Sequence, residues 1–213
     1  MMYKFIGSII PCLVFSIFLF SCTGGNDNTQ KERPTIILKN NKPRGKLDTT
    51  DRSAPIINVS ESISTPFNII YIKDSAKNNV RLSQKLAKIY SEKLTDCIKK
   101  NKLKVMGAPI AWYKTQKAPF FFEAGIPVDR KPKVLPKTIN YKRVSSGQVM
   151  IAHFYGPYEE TVQAYQILKQ MIKEKKKSPS AAPYEIYVDD PIGKDGNLLD
   201  PYKVQTNIVY PFY

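Results

Sequence analysis

Ala182-Pro183-Tyr184-Glu185-Ile186-Tyr187-Val188-Asp189-Asp190-Pro191 alternates like a β-strand. Ile186 and Val188 fall on one side, Glu185 and Tyr187 on the other, and Asp189-Asp190-Pro191 stops the run. An earlier stretch repeats it. Ala108-Pro109-Ile110-Ala111-Trp112-Tyr113 matches Ala182–Tyr187 position by position, with Tyr113 answering Tyr187 and Ala111 answering Glu185. The chain therefore reads as a duplication in which only the second copy carries the acid. A carboxylate and a phenol side by side on a sheet face suit a cationic, partly aromatic ligand. The ring face attracts the cation and the carboxylate neutralises it. The plainer alternative is a solvated strand glutamate beside a core tyrosine.

Working outward, the flanking elements repeat too. Phe67–Lys73 reads as a strand, followed by Leu82, Leu86, Ile89, Tyr90, Leu94, Cys97 and Ile98 at helical spacing. The strand around Ala111–Tyr113 and the run Phe120–Val128 complete the first unit. Asp129–Thr138 is a basic, proline-containing connector. In the second half Val149–Tyr155 is a strand. Gly156-Pro157-Tyr158-Glu159-Glu160 starts a helix with acids in its first turn, and Val162, Tyr165, Leu168 and Ile172 form the apolar stripe. Lys203–Phe212 closes the chain's last strand. Ile69 and Ile151, Val80 and Val162, and Leu86 and Leu168 correspond at one common offset. The expected fold is α+β: two tandem β-α-β-β units, an antiparallel sheet with two long helices on one face, and a central ligand groove on the other. Trp112, which answers Ile186, is expected on the helix side.

The N-terminus sets the compartment. Lys4 precedes an apolar run from Phe5 to Phe20 that contains Pro11, somewhat short of the roughly 20 residues a spanning helix needs. Ser21-Cys22-Thr23-Gly24-Gly25 follows, so the start reads as a secretory signal. Leu19-Phe20-Ser21-Cys22 resembles a bacterial lipobox, which implies cleavage before Cys22 and lipid on its thiol. Residues 1–21 are then signal, 22–62 a polar tether and 63–213 the folded domain, held at the cell envelope, on the outer membrane or periplasmic side. A plain signal peptide or an uncleaved anchor would still place the domain outside the cytoplasm. The formal charge of +15 on an exported protein favours an anionic envelope surface over nucleic acid. Cys12 leaves with the signal and Cys22 is acylated. Cys97 remains, on an apolar helix stripe, so no disulfide framework is expected.

Ala152-His153-Phe154-Tyr155-Gly156-Pro157-Tyr158-Glu159-Glu160, with Ala164-Tyr165 and Leu168 behind it, resembles the GyrI-like domain, also the effector-binding domain of AraC- and BmrR-type regulators. Pro183–Pro191 resembles that family's acidic strand motif, and Thr206-Asn207-Ile208-Val209-Tyr210-Pro211 its closing motif, with Asn207 in place of the usual acid. The match covers about residues 66–213. The resemblance implies two tandem units around a groove for small amphipathic molecules, often cationic and aromatic. The motif acid falls on Glu185, where it would pair with the ligand's positive charge.

The candidate ligand-binding set is Glu185, Tyr187, Tyr113, Phe121, Glu123 and Asn207, with Cys22 as the lipidation site. No metal or cofactor is expected, because the one histidine, His153, stands alone and no CxxC or HExxH occurs. A monomer binding a small amphipathic molecule is the leading expectation. Two others stay open: a hydrolase of strained or electrophilic molecules using Glu185 as acid and base, and haem or tetrapyrrole binding through His153, since SOUL-type haem proteins share a similar duplicated fold.

Overall fold

The computed structural model describes residues 54–213. The expected signal peptide, Cys22 and the expected tether up to residue 53 lie outside the described residues. Eight strands form one antiparallel sheet in the order β1-β6-β8-β7-β3-β4-β2-β5. The strands are β1 Ile56–Ser64, β2 Phe67–Ala76, β3 Ile110–Tyr113, β4 Phe120–Val128, β5 Asn140–Val144, β6 Gly147–Tyr155, β7 Tyr184–Tyr187 and β8 Gln205–Phe212. A helical run follows β2: α1 Asn79–Lys88, a π turn over Ile89–Leu94, and α2 Thr95–Asn101. The second helix, α3, spans Thr161–Glu174 between β6 and β7.

Local chemistry starts and stops these elements. The Asn78 side chain accepts from the Arg81 backbone N–H at 2.9 Å, which satisfies an otherwise unpaired donor at the start of α1. Lys102, in the left-handed region at φ 51°, ends α2. Gly156-Pro157 turns the chain out of β6 into a short 3-10 turn, Tyr158–Glu160, and the Thr161 hydroxyl donates to the Tyr158 carbonyl at 2.9 Å. In β4, Gly125 lets β2 come close: a Cβ there would sit 2.7 Å from the Ile70 carbonyl oxygen.

The seam of the duplication is the pairing of β3 with β7. Ile110 faces Ile186, Ala111 faces Glu185 and Trp112 faces Tyr184. The two copies of the organising stretch thus run antiparallel across a local two-fold axis, and Glu185 stands opposite its own counterpart, Ala111. One row of residues crosses the sheet on the helix side: Val59, Ala152, Ile208, Glu185, Ala111, Ala124 and Ile72. Both helices cover this face. Leu82, Ile89 and Leu94 pack with Ile70, Ile72 and Phe122, while Ala164, Leu168 and Ile172 pack with Met150, Phe154 and Tyr210.

The opposite face has its own apolar cluster, built from Ile69, Ile110, Val149, Tyr184 and Val209 with Phe67, Trp112 and Ile186 against it. Trp112 therefore lies on the helix-free face, not under a helix as its match to Ile186 had suggested. The same parity moves the Glu185 cleft to the helix side, so the groove is not on the face away from the helices.

Two strands escape the sequence pattern. β1 lies in the segment expected as tether, so residues 56–62 belong to the sheet, and β5 follows the basic connector. Both are edge strands with half-polar sequences, the usual look of an edge that resists pairing with other chains. Each crosses between halves. β1 runs into β2 through Thr65-Pro66 yet pairs with β6, and β5 runs into β6 through Ser145-Ser146 yet pairs with β2. Links this short bring opposite sides of the sheet together, so the sheet curls over its helix-free face. Phe67 accordingly packs edge-on against Tyr184, with ring centroids 6.5 Å apart.

Candidate functional site

Glu185 is 1% exposed, with no cation among its hydrogen-bond or ion-pair partners. Four phenols surround it. Tyr158 reaches Oε2 at 2.5 Å, Tyr187 reaches the same oxygen at 3.1 Å, and Tyr165 reaches Oε1 at 3.0 Å. Tyr113 stands one step back, 2.7 Å from the Tyr187 hydroxyl and 2.9 Å from that of Tyr158. Each phenol has one proton. If Tyr158, Tyr165 and Tyr187 donate to the carboxylate, Tyr113 donates to Tyr187 and every hydroxyl is used.

Different elements deliver these groups. Glu185 and Tyr187 come from alternate positions of β7, Tyr113 from the matching position of β3, and Tyr158 and Tyr165 from the start and second turn of the α3 region. Tyr90, in the π turn, packs edge-on against Tyr187 at 6.1 Å and donates to the Ile110 carbonyl at 3.0 Å. Its placement in a π turn fits the frequent use of such turns at functional sites.

Burial pushes the Glu185 carboxyl up from 4.5 to about 7, against the pull of the Tyr158, Tyr165 and Tyr187 hydrogen bonds. Burial also raises the phenols Tyr113, Tyr158, Tyr165 and Tyr187, and the nearby Glu185 charge raises them further. The phenols thus remain neutral donors, and the site holds one acid that titrates near neutrality. Holding that acid ionised costs about 3 kcal/mol relative to water.

Glu185, Tyr113 and Tyr158 line a cleft of about 310 Å3 between the first turns of α1 and α3, with Asn78, Leu82, Phe120 and Val162 among its walls. That volume lies at the small end of ligand sites.

Among the sequence candidates, Glu185, Tyr187 and Tyr113 come together here. Phe121, Glu123 and Asn207 do not. Glu123 pairs across the ladder with Trp112, and Asn207 with Ile186, so all three lie on the helix-free face, and the expectation of one shared site is corrected. Glu123 binds Lys142 at 2.6 Å and Lys73 at 3.4 Å; burial opposes ionisation, but these two ammonium groups hold its carboxyl below the usual range. Asn207 Oδ1 is 2.9 Å from His153 Nδ1, and His153 Nε2 is 2.9 Å from the Ser60 hydroxyl. Both ring nitrogens of His153 thereby have hydrogen-bond partners, and an axial haem ligand would have to give one up. Cys97 is buried at the helix stripe, and burial raises its thiol.

Tyr158 and Tyr165 were read as helix start and helix stripe, and their contact with Glu185 was missed. The usable signal was the phenol itself: a stripe tyrosine that turns toward a sheet must find a hydrogen-bond partner, and Glu185 was the acid on offer.

No protein-family model and no curated protein sequence matches the chain. Solved structures do match in shape. The C-terminal domain of EcmrR aligns at a TM-score of 0.61 and 14% identity, covering 74% of this chain and 98% of that domain. The chain has the fold of the EcmrR C-terminal domain. EcmrR in its complex with DNA aligns at 0.62 and 16% identity over 73% of this chain, which spans only 57% of the EcmrR chain there. A hydrolase from Listeria innocua aligns at 0.51 and 13% identity, over 73% of this chain and 91% of that one. At these identities the likeness establishes the fold alone.

Proposed function

We propose that this is an exported, lipid-anchored binding protein that holds a small amphipathic cation, aromatic in part, in the cleft at Glu185. The observation that supports this reading is a fully buried carboxylate ringed by phenols, with no cation beside it among the described residues. Three hydroxyls lower the cost of its charge without cancelling it. A ligand cation would supply the missing charge, and the rings of Tyr113 and Tyr158, which line the cleft, would supply faces for it. The lipobox-like Leu19-Phe20-Ser21-Cys22 supports the anchoring, which acyl labelling tests: Cys22→Ser should abolish the label.

Binding is tested by calorimetry with tetraphenylphosphonium and the full-length protein at pH 8. Saturable binding is expected, weakened more than about tenfold in Glu185→Gln, because a charged pair is lost while the shape is kept. Equal affinity for both proteins would remove Glu185 from the site.

A buried acid near pH 7 beside neutral phenols also suits general acid–base chemistry, which favours hydrolysis of an electrophilic molecule as a second reading. Turnover of epoxides or other strained rings that disappears in Glu185→Gln would support it. Stoichiometric binding without turnover would leave the binding reading standing.

A further inference from the structure

The helix-free face carries a second cleft, of about 780 Å3, under the arch made by the β1–β2 and β5–β6 crossings. Its floor is aromatic. Trp112 and Tyr184 stack at a tilt with centroids 5.3 Å apart, and Phe121 lies beside them, 48% exposed. An exposed phenylalanine next to a tryptophan is apolar surface without a partner.

The polar groups around this floor are mostly donors. The Tyr184 hydroxyl and the Trp112 indole N–H have no hydrogen-bond partner among the described residues and are open to solvent, since no buried side-chain polar atom there is left unpaired. The Tyr184 ring itself is buried, so its hydroxyl is held in place as a free donor at the cleft. Lys142 sits 3.7 Å from the centre of the Trp112 ring, where Glu123 holds it. Lys114 and Arg143 line the same cleft and form no ion pair among the described residues. The two carboxylates of the lining are already taken, Asp74 by Lys85 and Glu123 by Lys142 and Lys73.

We infer that this cleft binds a small amphipathic anion, an aryl or acyl carboxylate, sulfonate or phosphate. Its body covers Trp112, Phe121 and Tyr184, and its head accepts from Tyr184 and Lys142. The domain then has two sites of opposite charge preference on opposite faces of one sheet. This second site does not rest on the Glu185 reading: Tyr113 borders both clefts, but Glu185, Tyr158, Tyr165 and Tyr187 do not line this one.

Trp112 is the chain's one tryptophan, so intrinsic fluorescence reports this cleft directly. The test titrates the full-length protein with 4-phenylbutyrate and with its cationic counterpart 4-phenylbutylammonium, following Trp112 emission. 4-Phenylbutyrate should change the emission saturably, with affinity reduced about tenfold in Lys142→Gln and also reduced in Tyr184→Phe, which deletes only the hydroxyl. Glu185→Gln should leave this titration unchanged. The inference is overturned by a non-saturating response, by equal affinity in the charge and hydroxyl variants, or by 4-phenylbutylammonium competing for the same signal. Vesicles of phosphatidylglycerol form a separate arm: if only they shift Trp112 emission, the face meets a membrane and the small-molecule site is rejected.

Discussion

Affinity for a lipophilic cation should fall roughly a hundredfold between pH 8 and pH 5 if the ligand binds the ionised form of Glu185, whose carboxyl titrates at about 7. Above that value most molecules already carry the charge. Below it, each pH unit removes about nine-tenths of the competent form, and the apparent affinity falls in proportion. The permanent charge of tetraphenylphosphonium cannot contribute to the slope. Calorimetric titrations at pH 5, 6, 7 and 8 would trace the curve, and Glu185→Gln should flatten it. A pH-independent affinity would mean that the cation meets no titrating carboxylate.

The second large effect concerns the residue opposite Glu185. Ala111 is fully buried and pairs with Glu185 across the β3–β7 seam, which puts their Cβ atoms about 5 Å apart. Ala111→Glu would restore the symmetry of the duplication and place two carboxylates on one floor. At pH 8 both would have to ionise, or one would have to stay protonated well above its ordinary value. The loss of stability should exceed about 3 kcal/mol there, and be smaller at pH 5, where a proton can be shared.

The parent protein supplies the sign. The Glu185 carboxyl binds its proton more tightly folded than unfolded, so its destabilising contribution is absent below 4.5. It grows as pH rises toward about 7 and is complete above. Urea unfolding at pH 5 and pH 8 measures both proteins. A loss under about 1 kcal/mol at both pH values would show that position 111 does not face the acid.

The duplication was legible because its two copies share a length and a residue pattern, and the seam between Ala108–Tyr113 and Ala182–Tyr187 became the centre of the sheet. Alternation also put Glu185, Tyr187 and Tyr113 together. It could not say which side of the sheet the helices cover. With the groove expected on the face away from the helices, the motif acid Glu185 falls there, and Trp112, matched to the apolar Ile186, falls beneath the helices.

The structure reverses both through a feature that is visible only across strands. Ala111 and Ala124 keep the row low on one side of Glu185, with Ile208 on the other, and the Tyr158 and Tyr165 hydroxyls reach down to the acid from the α3 region. Phe121, Glu123 and Asn207 were misplaced for a related reason. Their facing depends on the register of β4 against β3 and of β8 against β7, and a one-residue slip exchanges the faces. β1 was read as tether because its outer positions are polar, as edge strands commonly are.

The most direct measurement is the NMR titration of the Glu185 carboxyl carbon, assigned by comparison with Glu185→Gln, with and without tetraphenylphosphonium. The expected midpoint is near 7 in the free protein, moving down by at least about one unit when the cation binds, since an adjacent positive charge favours the ionised form. A midpoint at the ordinary glutamate value, unmoved by saturating cation, would contradict a buried acid that waits for a charged ligand.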